Sequence, residues 1–409
     1  MIDHKKISII ENNKVFSPYY FYNEFLGKVA LCYSNHNDNS PISYRLTDDE
    51  DPITGKYRID PIAIPLLLSL SQQISKNQNS SIKIELSNYP STVDLLEFLM
   101  RSDFFYVAGD NKNPSLPLGR NILSYDDVYL GGFIGKTIRP EHKVRCYSLN
   151  DDQCLKQIVD AEQNEDKKRD ILIERYSYYV SDHFESLLRE STNEYALLYV
   201  DILSELIVNG IKHSKADVFA LMFSDRFSTK FSISDNGIGL YKSLEEKHCS
   251  DYYDIMTLFE EFRIALELPN TVMAMSYVTI FVTLFYSMTK QRLGLFDLMI
   301  NVVNKFHGYF RLHNNHCQII VSARLMEDLI VLEKHRHDIR ELYRQKDYNQ
   351  ISNTDFIQRM TKSVGIGKDQ IIQLAKTILN KYSNDARFSA LRTYKVKFSG
   401  VHVEVEIPK

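Results

Sequence analysis

The chain has 409 residues, of which 44% are hydrophobic and 25% charged, the composition of a globular protein with two or three domains. The formal net charge of −4 excludes a global basic field of the kind that attracts nucleic acid or anionic membranes. Five scattered cysteines form no CxxC pair, which argues against a zinc site or a disulfide framework and for a reducing compartment.

Residues 1–146 are predicted to form a separate α/β domain. The chain opens without the apolar stretch of a signal peptide, which favours a cytoplasmic location. Apolar and alternating patterns predict a helix over 62–74, a strand over 81–86 and a second helix over 90–99. The next residues, 147–170, are highly charged and predict a solvated helical linker.

The stretch around Glu205 predicts a helix with two different faces. Glu205 and Asn209 are four residues apart and therefore share one face, which Ile202 and His213 extend. A separate apolar stripe can pack into a core, and it consists of Leu203, Ile207 and Ile211. The polar face therefore indicates a role other than packing. A preceding helix is predicted over 171–189, where Tyr and Leu recur at helical spacing.

Two strands and a glycine turn follow. The runs 218–223 and 230–234 are typical of paired strands. The second leads directly into the segment 235–239, Asp-Asn-Gly-Ile-Gly, a turn that glycines make most easily. On its own such a turn is also the ordinary connection of a β-hairpin.

An uncharged segment over 268–289 is long enough to cross a bilayer. Pro269, Asn270 and the many Ser, Thr and Tyr residues weaken that interpretation. A buried helix, or a helix that faces a protein partner, is therefore predicted, and no membrane contact is expected.

The C-terminal part of the chain is predicted to be a charged helical region over 326–392 followed by a strand. Apolar and polar residues alternate over 401–407, the pattern of a half-buried strand. Gly365 and Gly367 fall between two predicted helices. They fit a helix-hairpin-helix that binds nucleic-acid phosphates, or a plain helix–loop–helix with a glycine C-cap, which is preferred.

Together these motifs resemble the GHKL superfamily of ATP-binding domains, which includes histidine kinases, gyrase-type topoisomerases, mismatch-repair ATPases, heat-shock chaperones and anti-sigma kinases. Residues 205–214 resemble the family's N box and 235–239 its DxGxG box, in the family order and spacing. The resemblance implies a C-terminal α/β sandwich, the Bergerat ATP-binding fold, with a mixed sheet and helices on one face. This domain would comprise 171–325 and 393–409, with 326–392 as a helical insertion.

The resemblance implies a magnesium and phosphate site on the N-box helix. Asn209 would coordinate Mg²⁺, for which an amide oxygen is a suitable hard ligand. Glu205 would be the general base that activates the attacking water or another nucleophile. Lys212 would face the phosphates, and His213 lies beside it.

The resemblance also implies an adenine site and a phosphate lid. Asp235 would accept a hydrogen bond from the adenine amino group, Gly237 would let the backbone pass close to the purine, and Gly239 would open the next loop. The lid would be the segment Arg-Leu-Gly-Leu at 292–295, in which Arg292 replaces a family glycine and Gly294 is kept. Arg292 either contacts a phosphate or is a surface residue. The missing glycines argue against tight phosphate binding and fast turnover.

The N-terminal domain resembles STAS-type domains, which accompany some bacterial GHKL proteins. The leading hypothesis is a magnesium-dependent ATPase that acts as a nucleotide-driven conformational switch in a bacterial regulatory or defence system. It would act with a protein partner or a second copy of the chain, and nucleic-acid binding has weak support. The alternatives are a serine/threonine protein kinase of the anti-sigma type and a non-catalytic nucleotide sensor or scaffold.

Overall fold

The computed structural model describes residues 5–34, 40–113, 116–133, 142–214, 217–247, 252–383 and 389–409, without the side chains of His213 and Ser214. The described chain is an α/β protein with two hydrophobic cores. These cores lie on opposite faces of one antiparallel sheet, because alternate residues of a single strand belong to different cores.

The N-terminal region is built around a small parallel sheet. Its strands are β1 Lys6–Ile10, β2 Val15–Phe16, β3 Ser43–Thr47, β4 Arg58–Ile59, β5 Ile82–Glu85 and β6 Leu123–Ser124. Its helices are α1 Pro18–Tyr20, α2 Leu26–Ser34, α3 Ile64–Gln78, α4 Val93–Arg101 and α5 Phe104–Ala108, with a π-helical turn over Phe21–Phe25 and 3₁₀ turns over Pro61–Ala63 and Asp127–Phe133. The sheet order is β1-β3-β5-β6, and β2 pairs with β4. Parallel neighbours need crossover connections, which these helices supply.

The helices and the strand predicted over 62–99 are confirmed as α3, β5 and α4. α3 extends further than its apolar run and ends at Asn79, which has a left-handed backbone (φ 52°). Asparagine tolerates this conformation and can therefore end a helix where no glycine is present.

The C-terminal region is built around a five-stranded sheet. Its strands are β7 Arg145–Tyr147, β8 Val218–Ser224, β9 Ser228–Asp235, β10 Tyr309–Val321 and β11 Leu391–Pro408. The order is β10-β11-β9-β8-β7, so the last strand of the chain lies between β10 and β9. The strands predicted over 218–223, 230–234 and 401–407 are confirmed. A mixed sheet was predicted, but each described pair is antiparallel. A short turn over 225–227 returns β9 along β8, which only an antiparallel pair allows.

A layer of helices covers one face of this sheet. The helices are α6 Gln153–Ala161, α7 Glu165–Thr192, α8 Ala196–Ser214, α9 Gly239–Glu245, α10 Ile255–Ala265, α11 Val272–Thr289 and α12 Leu295–Ile300, with 3₁₀ turns over Leu149–Asp151 and Asn193–Tyr195 and a π-helical turn over Asn301–Lys305. α7 packs along α8, and α11 packs on β10. The predicted apolar stripe of α8 is buried in this layer, and it consists of Leu203, Ile207 and Ile211.

The N-terminal region covers the other face of the sheet. α3 contacts β8 and β9, α2 contacts β11, and Phe219 and Leu221 of β8 belong to the N-terminal core. Helices therefore lie on both faces, whereas the prediction placed them on one. For the same reason the polar face of β11, predicted to be exposed, is buried. The hydroxyl of Tyr22 lies 3.0 Å from Nδ1 of His402, and burial holds the pKa of that imidazole well below its usual value.

α11 is long and apolar enough to cross a membrane, but 67% of it is buried inside the protein. It contacts α10, β10 and helical residues further along the chain. Its position agrees with the buried helix that the sequence predicts. The Ser and Thr side chains donate to backbone carbonyls one turn earlier, so they need no solvent, as for Ser276, Thr279 and Thr283.

The segment predicted as a charged linker, 147–170, is partly helix of the C-terminal layer. α7 begins at Glu165, where Asn164 accepts hydrogen bonds from two backbone N–H groups as the N-cap. The predicted domain boundary at 146 falls inside β7, which pairs with β8. The high charge of this segment therefore does not indicate a solvated linker, because charged residues in the first turns of α7 line a cavity.

The helical region predicted over 326–392 contains two long helices, α13 Met326–Asp347 and α14 Asn353–Tyr382, which pack together. A 3₁₀ turn over Ala323–Leu325 precedes α13. α14 continues through Gly365 and Gly367, so the predicted break between two helices is wrong in both of its versions. Gly367 is needed for packing instead. A Cβ there would lie 2.6 Å from Cε of Met288 and 3.0 Å from the ring of His335.

Replacement of Gly365 by alanine is expected to raise the free energy of unfolding by about 0.5–1 kcal/mol. Gly365 is exposed within α14, and an added Cβ meets nothing within 4 Å. Gly367→Ala in the same helix is the matched control, and its crowded Cβ cancels or reverses that gain. Urea unfolding of both variants measures the difference. A destabilised Gly365→Ala variant would contradict the continuous helix, because it would indicate a left-handed loop residue.

Candidate functional site

A cavity of about 530 Å³ brings together residues that are far apart in the sequence. Its walls come from α7, α8, α9, α11, β9, β11 and the loop 290–294 between α11 and α12. The predicted site residues that line it are Asn209, Asp235, Gly239, Arg292 and Gly294. The volume is in the range of small-molecule sites.

Asp235 is the buried acid of this cavity. It is the last residue of β9, and its Oδ1 accepts a hydrogen bond of 2.8 Å from the backbone N–H of Gly237. Burial raises the pKa of its carboxyl to about 6. The N–H group of Gly237 therefore orients the carboxylate of Asp235. Gly237 is not one of the residues described as lining the cavity. The surrounding wall is apolar and consists of Ile233, Ile238, Leu240, Val401 and Val403.

Two glycines allow the backbone to bend around Asp235. Gly239 has a φ of +78° and starts α9, which agrees with its predicted role in opening the next segment. Gly400 has a φ of +118°, and a Cβ there would lie 2.1 Å from the carbonyl oxygen of Asp235. The close approach of β11 to the end of β9 therefore depends on Gly400, which sequence reasoning did not single out.

Glu205 and Asn209 lie on α8 as predicted, but they have different surroundings. Asn209 lines the cavity, and its side chain forms no hydrogen bond with another described residue. Glu205 is buried and forms an ion pair with Arg169 of α7. The carboxylate is thus neutralised by a cation that itself lines the cavity.

The oxygen donors of the cavity fit a magnesium ion that arrives with a phosphate ligand. Among the described residues no group of three or more His, Cys, Asp or Glu side chains could hold a metal. Asn209 and Asp166 both line the cavity. Mg²⁺ keeps several waters and is commonly bound by one or two protein oxygens together with substrate phosphates. Asn209 is therefore the residue that would hold it.

Four basic side chains line the same cavity: Arg169, Lys247, Lys290 and Arg292. The arginines have acidic partners, Glu205 for Arg169 and Asp170 for Arg292, the latter at 2.6 Å. The lysines form no ion pair with a described carboxylate. Burial, together with the nearby charges of Arg169 and Lys290, lowers the pKa of Lys247 to about 7. The lining also contains two carboxylates, Asp166 and Asp235, so the positive charge that suits an anion is that of the two lysines without a described acidic partner.

Lys212 and His213 were predicted to face the phosphates. Nζ of Lys212 lies 2.6 Å from the carboxylate of Glu165, and Lys212 lines a second cavity of about 750 Å³ instead. His213 is in the last turn of α8, and its side chain lies outside the described part of the chain.

The loop between α11 and α12 is held by Arg336 of α13. The guanidinium donates to both carboxylate oxygens of Asp297, at 2.9 and 3.0 Å. It also donates to the carbonyl oxygens of Met288, Lys290 and Arg292. Gly294 is the N-cap of α12 and donates its N–H to Asp297. A side chain from the helical region therefore orders the loop that was predicted as a lid.

Tyr286 also lines the cavity. Sequence reasoning missed five residues of this arrangement: Arg169, Lys247, Tyr286, Lys290 and Arg336. Arg169 was placed in a linker because its neighbours are charged. Lys290 is the first charged residue after the uncharged run 268–289, and that position could have identified it. The others left no signal, since each is an isolated residue in a helix or at a helix end.

Comparisons with known proteins do not add to these observations. A scan against protein-family models, a search of curated proteins and a search of solved structures found no match to this chain. Function is therefore inferred from the cavity and its residues.

Proposed function

We propose that this chain is a GHKL-type ATP-binding protein, a magnesium-dependent ATPase that works as a nucleotide-driven conformational switch. The observation that carries the proposal is the single cavity that Asn209 shares with Asp235, Gly239 and Gly294. These residues belong to the three sequence motifs that resemble the ATP site of GHKL proteins. A cytoplasmic location and a STAS-like N-terminal domain are parts of the same proposal.

The cavity suits a ligand with an apolar, hydrogen-bonding part and an anionic part. Asp235 lies among apolar side chains from β9, β11 and α9, where a purine ring would fit, and its carboxylate would accept the adenine amino hydrogens. The basic residues of α7, of the segment after α9 and of the loop 290–294 would bind the phosphates. Magnesium held by Asn209 would neutralise phosphate charge during hydrolysis.

Glu205 is the general base of the proposal, and its ion pair with Arg169 makes hydrolysis conditional. The guanidinium of Arg169 occupies the carboxylate that would otherwise position the attacking water. A terminal phosphate in the cavity would compete for Arg169 and release Glu205. The same ion pair supports a second candidate, a nucleotide sensor that binds ATP without hydrolysing it.

A hydrogen-bonded connection supports the switch. Asn236, next to the adenine acceptor, donates from Nδ2 to Oε1 of Gln72 on α3 at 2.8 Å. Gln72 in turn donates to Asp217 at 2.7 Å. A nucleotide that shifts the turn at 235–239 would therefore change the contact between the sheet and the N-terminal region, where a partner could detect it.

ATP binding and turnover measured side by side test the proposal. Glu205→Gln is expected to bind ATP within about threefold of wild type and to lose about 10²–10⁴-fold in turnover, the usual contribution of a general base. Glu174→Gln, an exposed carboxylate on α7, is the control and should behave as wild type. Asn209→Ala is expected to lose the magnesium dependence of ATP binding.

The remaining outcomes of these measurements distinguish the alternatives or contradict the proposal. Wild-type turnover no higher than that of Glu205→Gln, with ATP binding kept, would favour the sensor. Label transferred from ATP to protein would indicate a kinase. A wild-type protein that binds no ATP with magnesium would contradict the proposal.

A further inference from the structure

We propose that Lys247 and Lys290, held against the ring of Tyr286, form the binding site for the terminal phosphates of a polyphosphate ligand. This assignment rests on the proposed function, since it locates one end of the nucleotide. Each lysine Nζ lies 4.4 Å from the centroid of the Tyr286 ring, and all three residues line the cavity. The two ammonium groups therefore meet at one aromatic ring.

In the described part of the chain, the two lysines lack the acidic partners that the two arginines of the cavity have. The arginines Arg169 and Arg292 are each paired with a carboxylate, whereas Lys247 and Lys290 have no such partner among the described residues. The ring of Tyr286 offers a negative face to each ammonium, but this attraction offsets only part of their mutual repulsion. A multiply charged anion between them supplies what the arrangement lacks.

The pKa of Lys247 agrees with this interpretation. Burial and the charges of Arg169 and Lys290 lower it to about 7, so the ammonium is held in an unfavourable environment when no ligand is bound. A bound phosphate would raise this pKa toward its ordinary value. The binding of a polyphosphate is therefore expected to take up a proton above neutral pH.

The position of the two lysines relative to Asp235 indicates the terminal phosphates. Lys247 lies two residues beyond the end of α9, and the seven residues of α9 span about 10 Å from Gly239 at a rise of 1.5 Å per residue. That separation corresponds to the distance from the base to the end of a nucleoside triphosphate. Lys290 ends α11 at the start of the loop that Arg336 holds. A nucleoside monophosphate bound at Asp235 would not reach this pair.

Calorimetric titration with ATP, AMP, adenosine and inorganic tripolyphosphate tests the assignment. Lys247→Met and Lys290→Met are each expected to weaken ATP and tripolyphosphate binding about 10–100-fold, as for the loss of a charge-assisted hydrogen bond. AMP and adenosine binding should change less than about threefold. Lys242→Met is the control, because Lys242 is exposed on α9 and outside the described lining. Tyr286→Phe should keep ATP affinity, and Tyr286→Leu should reduce it.

The outcomes separate this site from the proposed function. ATP binding that is unchanged in both lysine variants, or AMP binding that falls as far as ATP binding, would overturn the site and leave the ATP-binding proposal intact. Lysine-dependent tripolyphosphate binding without any binding of ATP, AMP or adenosine would support the site and overturn the proposed function. Removal of one of two repelling charges is expected to keep the thermal unfolding midpoint at or above that of wild type, which verifies that the variants fold.

Discussion

Replacement of Asp235 by asparagine is expected to weaken ATP binding by about 100-fold or more and to leave tripolyphosphate binding unchanged. The carboxylate is buried, and in the proposed complex it accepts a hydrogen bond from the adenine amino group. Asparagine keeps the shape but can present an N–H₂ donor to that group, and an unmatched buried polar contact carries a large penalty. Calorimetry with ATP, GTP and tripolyphosphate measures the loss and any gain of guanine binding.

The same variant is expected to be more stable than wild type at pH 8. Burial raises the folded-state pKa of Asp235 to about 6, above its ordinary value of 3.8, so the folded state binds the proton more tightly. The stabilisation from this proton is fully present below about pH 4 and is lost as the pH rises through 6. A difference of about two pKa units corresponds to about 3 kcal/mol, which the neutral amide would recover.

Urea unfolding of wild type and Asp235→Asn at pH 4 and pH 8 measures this effect. The stability gain should be largest at pH 8 and should shrink toward pH 4. An Asp235→Asn variant that keeps wild-type ATP affinity would remove Asp235 from the proposed adenine site. A gain independent of pH would show that the buried charge is not its cause.

Replacement of Arg336 by methionine is expected to lower the free energy of unfolding by about 3–5 kcal/mol, because it leaves the buried carboxylate of Asp297 without its cation. The backbone carbonyls of Met288, Lys290 and Arg292 also lose their donor. ATP binding should weaken as well, since this loop carries Lys290 and Arg292. Chemical unfolding and calorimetry measure the two effects.

A double variant separates stability from loop position. Arg336→Met combined with Asp297→Asn should recover much of the stability, because no uncompensated buried charge is left. It should not recover ATP affinity, since the backbone carbonyls that Arg336 binds still lack their hydrogen-bond donor. Arg344→Met is the matched control, because its ion pair with Glu341 on the same helix is exposed, and little change is expected. Full recovery of ATP affinity in the double variant would contradict a positioning role for Arg336.

Candidate site residues that lie within a single local motif could be predicted from the sequence. Glu205 and Asn209 follow from helical spacing, and Asp235 and Gly239 from a turn that glycine favours, because local geometry repeats with a known period. The C-terminal strand could also be predicted, since the alternation of apolar and polar side chains is a local pattern. It does not depend on how far the strand lies from its partners in the sequence. The burial of its polar face could not be predicted, because it results from the N-terminal region packing on that side of the sheet.

The sequence alone determined which local elements form and which residue types they present, since backbone geometry and side-chain periodicity act over a few residues. Only the tertiary structure decided which of these residues share a cavity. It paired Glu205 with Arg169 and placed Lys247 beside Lys290. It also tied the loop 290–294 to Arg336. Such contacts join segments that are tens of residues apart, and they depend on how whole helices pack, which no local pattern encodes.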